Sequence, residues 1–174
     1  TLEMDRINAA FAAMATYSAV IPVSFTQTLS SVNADWVLTI DNNIGANVLG
    51  HFFVQFPGFG AFDSDPISWS TGLQPGGAGF ATLVHEFGHG LGLAHPHLDG
   101  QDVQVMQGVI SEFGSYGTFQ MNQGVFTTMS YNDGWKLAPM GPNLSNVVGS
   151  QATPMALDVA LLQQLYGANP TANA

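Results

Sequence analysis

Met4, Ile7, Phe11 and Met14 recur at helical spacing, with alanine filling much of the space between them. They predict an amphipathic helix over residues 4–17, which Pro22 closes off. Alternation then takes over. Val23 to Thr28 (VSFTQT) and the set Trp36, Leu38, Ile40 alternate apolar with polar, predicting two strands joined by a polar turn at Ser30–Ala34. Asp41, Asn42, Asn43 and Gly45 mark a turn. Val48–Phe56 (VLGHFFVQF) predicts a third strand, stopped by Pro57 and Gly58. Residues 57–66 read as a Gly/Asp/Pro loop, with a further short strand at Ile67–Ser70. Gln74-Pro-Gly-Gly leads into a helix from about Gly79 to Leu91. Beyond Pro96 the period is lost, and residues 97–127 read as irregular loops with room for a short helix near 102–108. Thr153 and Pro154 supply an N-cap and a first-turn proline for a closing helix. Its apolar positions are Met155, Leu157, Leu161, Leu162, Leu165 and Tyr166, and Gly167 and Pro170 end it.

The helix at 79–91 carries the chemistry. The stretch Thr82–Pro96 reads TLVHEFGHGLGLAHP, with His85, Glu86, His89 and His95 in the pattern H-E-x-x-H-x-x-G-x-x-H. Residues four apart share one helix face, so His85 and His89 can close on one ion. Glu86 then lies beside the ion, where a general base acting on water belongs. An unbroken helix would carry His95 about 9 Å beyond His89 and onto another face. His95 joins the site only if the chain turns back, and Gly92 is the residue type that permits the left-handed backbone of such a turn. Gly88 and Gly90 make this a poor helix on propensity, so packing of Val84, Phe87 and Leu91 and the ion must offset them. The competing reading is a buried glycine-rich helix with incidental histidines. Three of the five histidines falling in ligand register argues against it.

Composition narrows the partners. The chain has 174 residues, enough for one domain with a real core, and 46% of them are hydrophobic against 8% charged. Twelve acidic residues face two basic ones, Arg6 and Lys136, for a net charge of −10. Two scattered cations cannot follow a phosphate track, which excludes nucleic acid, and an anionic membrane surface is disfavoured for the same reason. No run reaches 18 apolar residues. Cysteine is absent, so zinc ligation falls to histidine and carboxylate. The chain begins at Thr1 rather than Met, which leaves the removal of an upstream segment open.

The extended motif resembles that of the metzincin metallopeptidases, and two further stretches narrow the resemblance to serralysins. Thr128-Met129-Ser130-Tyr131 is similar to the serralysin Met-turn, and Thr153–Asn169 (TPMALDVALLQQLYGAN) to the helix that closes the serralysin catalytic domain. Pro96 after the third histidine also fits. The resemblance spans nearly the whole chain, with motifs strongest between 82 and 167. It implies an α+β metzincin-like fold: a mixed twisted sheet, an active-site helix, a Met-turn and a C-terminal helix. It implies one domain over 1–174, with an upper lobe of about 1–92 and a lower lobe of about 93–174. His85, His89 and His95 would bind Zn2+, Glu86 would be the base, and Met129 would floor the three imidazoles. Tyr131 would ligate zinc at rest and swing to stabilise the oxyanion. A polypeptide substrate would pair along an edge strand at Val48–Phe56, and Asn132–Pro142 would wall the pocket beyond the cleaved bond.

Two departures stand out. Serralysins normally continue into G-G-x-G-x-D repeats that bind calcium, and no such repeat occurs in this chain, so calcium has no motif here. The chain reads as an excised catalytic domain or a minimal relative. His97 stands where relatives usually carry glycine and reads as a surface residue or a contact to the ligand histidines, the lesser alternative being that it replaces His95 as a ligand; His51 on the edge strand reads as facing solvent or substrate. The expected function is a secreted, bacterial, monomeric zinc endopeptidase. The rivals are a non-catalytic zinc-stabilised binding module and a hydrolase of a non-peptide bond; Glu86 and Tyr131 argue against the first, since a structural site needs neither.

Overall fold

The computed structural model describes residues 2–41, 43–45, 48–53, 58–63, 72–98, 104–134 and 148–171. Three α-helices and a three-stranded sheet order the described residues: α1 (Leu2–Ser18), β1 (Val37–Asp41), β2 (Gly50–Phe52), β3 (Phe59–Asp63), α2 (Ala78–Gly90) and α3 (Ala156–Tyr166). The sheet runs β1-β3-β2. β1 pairs parallel with β3, Val37 opposite Phe59, whereas β2 pairs antiparallel, His51 opposite Ala61. Mixed sheet plus separate helices is the α+β class expected.

The core lies between α1, the sheet and α2. Ala9, Ala13 and Tyr17 on α1 meet Leu83, Val84 and Phe87 on α2, with Phe52 and Phe62 from the sheet. Of the expected stripe, Met14 is buried and Phe11 packs against the core, whereas Met4 is exposed. Ala9 and Ala13 let the two helices lie close, and Met14 and Tyr17 complete the buried face.

Several expected elements change. Gly60 and Ala61 belong to a strand, β3, inside what reads as a Gly/Asp/Pro loop. This strand is central and covered on both faces, so it lacks the alternation of a half-exposed strand. Its glycine answers to space: a β-carbon at Gly60 would come within 2.8 Å of the Phe52 ring and 3.0 Å of Leu38. Val23–Thr28 forms no strand. Val23 and Phe25 still turn inward and Ser24 and Thr26 outward, so the alternation marks sidedness without a ladder. The third strand is short, Gly50–Phe52, and residues 54–57 lie outside the described residues, as does Ile67–Ser70. No helix occurs over 104–108, while 101–103 fall outside the described residues.

α3 starts at Ala156 rather than directly after Thr153. Its cap residue is Met155, whose N–H donates to Asp158 Oδ2 at 2.8 Å. Asp158 and Leu162 are buried on this helix, whereas Leu161, Leu165 and Tyr166 are exposed despite their apolar spacing. The buried face is anchored by a carboxylate, so hydrophobic periodicity misses it. Among the described residues no helix is long and apolar enough to cross a membrane.

Candidate active site

α2 ends where the histidine motif requires. Gly92 has φ 97°, and the backbone closes a Schellman turn: Leu93 N–H donates to Gly88 O and Gly92 N–H to His89 O, each at 2.9 Å. The reversal brings the third ring back. His95 Nε2 lies 3.0 Å from Nε2 of both His85 and His89.

The outer face of each helical ring is held by backbone. His85 Nδ1 is 2.7 Å from Thr128 O, and His89 Nδ1 is 2.8 Å from Leu93 O. A carbonyl only accepts, so both Nδ1 atoms carry the proton and both Nε2 atoms present lone pairs inward. Two lone pairs fixed inward beside a third ring nitrogen, with the ligand atoms all within 4.8 Å of one another, make a donor set open to a cation. An ion at about 2.0–2.1 Å from each nitrogen is therefore what the donor set fits. Burial lowers the proton affinity of all three rings, to about 4 at His89 and about 3 at His95, with the neighbouring histidines adding to the shift at these two. Neutral imidazole is the form that ligates a metal. Among the described residues these three form the group able to hold an ion.

Glu86 is 6% exposed, and its Oε2 accepts the Phe52 N–H at 3.1 Å. Burial pushes its carboxyl up to about 8, with the Phe52 bond pulling the other way. A cation among the imidazoles would favour the charged carboxylate and oppose burial.

The segment after residue 126 lies against α2. Met129 is buried, and a β-carbon at Gly88 would come within 2.9 Å of its sulfur, so Gly88 lets the two segments touch. Tyr131, 41% exposed, holds its ring 4.5 Å from that of His95 and 5.9 Å from that of His85. His97 lies parallel to His95 at 5.0 Å and places no nitrogen in the cluster; His51 is exposed on β2. Asn132 accepts the Gly114 N–H at 2.7 Å, and residues 135–142 of the expected pocket wall lie outside the described residues.

Three supporting groups escape a sequence reading. Asp158 accepts from the Thr127 hydroxyl and, at 2.7 Å, from Thr128 N–H, tying α3 to the residue whose carbonyl orients His85. A lone acid among the apolar positions of a helix was the available signal. Tyr17 is buried and donates to Val84 O, one residue before His85. The Phe52 amide is main chain, which side-chain patterns do not reveal.

Residues 2–123 match the matrixin peptidase family, well over half of the chain. The chain belongs to the matrixin family. Its similarity to metallopeptidase AprA of Pseudomonas marginalis is 31% identity over 168 residues, covering 90% of this chain and 33% of that protein. Serralysin of Photorhabdus luminescens is 29% identical over 102 residues, 59% of this chain and 19% of that protein. Mouse matrilysin is 42% identical over 57 residues, 31% of this chain and 21% of that protein. This matrixin chain thus spans about a third of the length of its AprA relative. Together these place it as a serralysin-type metzincin catalytic domain. The family uses a catalytic zinc, and the three histidines form a group that fits one.

Proposed function

We propose that the chain is the catalytic domain of a secreted bacterial zinc endopeptidase, monomeric, that cleaves extended polypeptides. The observation that carries this reading is the meeting of three Nε2 atoms at a helix that also carries a buried carboxylate, with a partly exposed phenol against the rings. His85, His89 and His95 hold the ion. Zinc, when bound, supplies a Lewis acid that acidifies a water and polarises a peptide carbonyl. Glu86 takes the proton from the attacking water and passes it to the nitrogen of the departing amine. The Tyr131 hydroxyl donates to the oxyanion that forms on the carbonyl oxygen. Met129 packs behind α2 and keeps the ligand helix in place.

The substrate lies as an added strand along β2. Leu49 O and Phe53 N bond to β3, so the alternation of an antiparallel ladder turns the main chain of Gly50 and Phe52 away from it; Glu86 takes the Phe52 N–H, and the Gly50 and Phe52 carbonyls are left to accept from substrate. The cleft runs between an upper lobe of about residues 1–92 and a lower lobe of about 93–174. Bacterial AprA and serralysin relatives support the secreted assignment.

Metal analysis combined with a casein assay, with and without a zinc chelator, tests the reading. One zinc per chain and chelator-sensitive cleavage are expected. Bound zinc without cleavage would overturn it in favour of a binding module.

A further inference from the structure

We propose that Gly50 is a positioning residue for Glu86: the absent side chain on β2 makes the space in which the Glu86 carboxylate is held against the Phe52 amide. The inference rests on the reading of Glu86 as the base. Glycine weakens the interior of a strand, so its presence there has a cause in backbone or space. The backbone gives none, since Gly50 is not among the described glycines with positive φ. Space does. A β-carbon at position 50 would lie 2.7 Å from Glu86 Cγ, 3.2 Å from Glu86 Cδ and 3.1 Å from Phe62 Cδ1.

Phe62 is 2% exposed and wedged against the Phe87 ring, so it has little room to yield. The Glu86 stem is nearer and more flexible. Relief comes either from Glu86 swinging away or from β2 lifting off α2. Both break the bond from Phe52 N–H to Glu86 Oε2, which spans 3.1 Å. Both leave the supports of His85 and His89 alone, because these come from the Thr128 and Leu93 carbonyls. Gly50 thus sets the direction of the base relative to the strand that receives substrate.

The test compares Gly50→Ala, Glu86→Gln, Glu86→Ala and the doubles, all zinc-loaded, with labelled casein as substrate. Gly50→Ala should retain one zinc and lower kcat by about tenfold, part of the roughly 10²–10⁴-fold that a general base supplies, with KM nearly unchanged. Added to Glu86→Gln it should change the residual rate by less than about twofold, because the two act through one group. A structural effect would subtract equally in both backgrounds and overturn the proposal, as would a wild-type kcat in Gly50→Ala. Stability gives a second readout if Gly50→Ala folds poorly. Glu86→Ala removes Cγ and Cδ, so the double variant should recover the Tm lost by Gly50→Ala; no recovery would place the clash at Phe62 and overturn the proposal. Full cleavage by Glu86→Gln would sink the base assignment instead, while Tm recovery would still establish the contact.

Discussion

The carbonyl oxygen of Leu93 lies 2.8 Å from Nδ1 of His89, so the turn that reverses the chain after α2 also orients a ring of the helix it ends. Reversal and ring orientation both depend on the φ of 97° at Gly92. Gly92→Ala should destabilise the chain by about 1–2 kcal/mol, the cost of a left-handed L-residue, and should weaken zinc binding. Calorimetry and a competitive zinc titration check this. Unchanged zinc affinity would mean that the turn is not what brings His95 to the site.

Glu86 is the proposed base, and a substitution there isolates its chemistry. Glu86→Gln should lower kcat on casein by about 10²–10⁴-fold, with zinc content and circular dichroism as in the parent. Wild-type turnover would eliminate Glu86 from proton transfer.

Tyr131→Phe deletes a hydroxyl at a half-exposed position, so folding should be unaffected. A drop in kcat on the order of 10²-fold, with KM little changed, is expected from steady-state kinetics. A rise in KM alone would assign Tyr131 to substrate binding.

Asp158 joins three donors: the Thr127 hydroxyl, Thr128 N–H and Met155 N–H. Asp158→Ala leaves them unpaired in a buried place and should cost about 3 kcal/mol or more, since single bonds to charged groups contribute about 1.5–3 kcal/mol. Denaturant titration measures the loss. A smaller effect on zinc-loaded protein than on zinc-free protein would follow, because zinc independently holds His85.

The zinc-free protein should have a stability optimum near neutrality. His89 and His95 have folded pKa values of about 4 and about 3, below the ordinary 6.5, so the unfolded chain takes up protons first as pH falls. Stability is then lost from about pH 6.5 downward. Glu86 runs the other way: its folded value of about 8 lies above 4.5, so the native state keeps a proton that the unfolded chain has released. Stability is lost as pH rises through that interval. Between 4.5 and 6.5 the two effects oppose, and the histidines win by number. Tm should peak near pH 6.5 without zinc. With zinc the alkaline decline should flatten, because the cation favours charged Glu86. Calorimetry at pH 4.5, 6.5 and 8 checks both, and a Tm that rises steadily with pH in the zinc-free form would contradict them.

The chain's own order of residues determined the metal site. His85 and His89 share a helix face by spacing alone, and Gly92 marks a place where the backbone can turn left-handed before His95, so the helix and its break are local facts. The strand from Val37 to Asp41 is legible in local alternation, whereas the segment Met129–Tyr131 is legible only through its resemblance to the Met-turn. Tertiary structure decided the rest. β3 hides in a glycine-rich run because a strand covered on both faces shows no alternation, and Gly60 is required by the neighbouring Phe52 and Leu38. Val23–Thr28 alternates yet forms no ladder, since pairing needs a neighbour that periodicity does not supply. Asp158 and the Phe52 amide act across 30 and 34 residues of sequence, meeting Thr128 and Glu86 through hydrogen bonds that only packing creates. Spacing along a chain reports which groups share a local face; it carries no information on which distant donor fills a buried carboxylate.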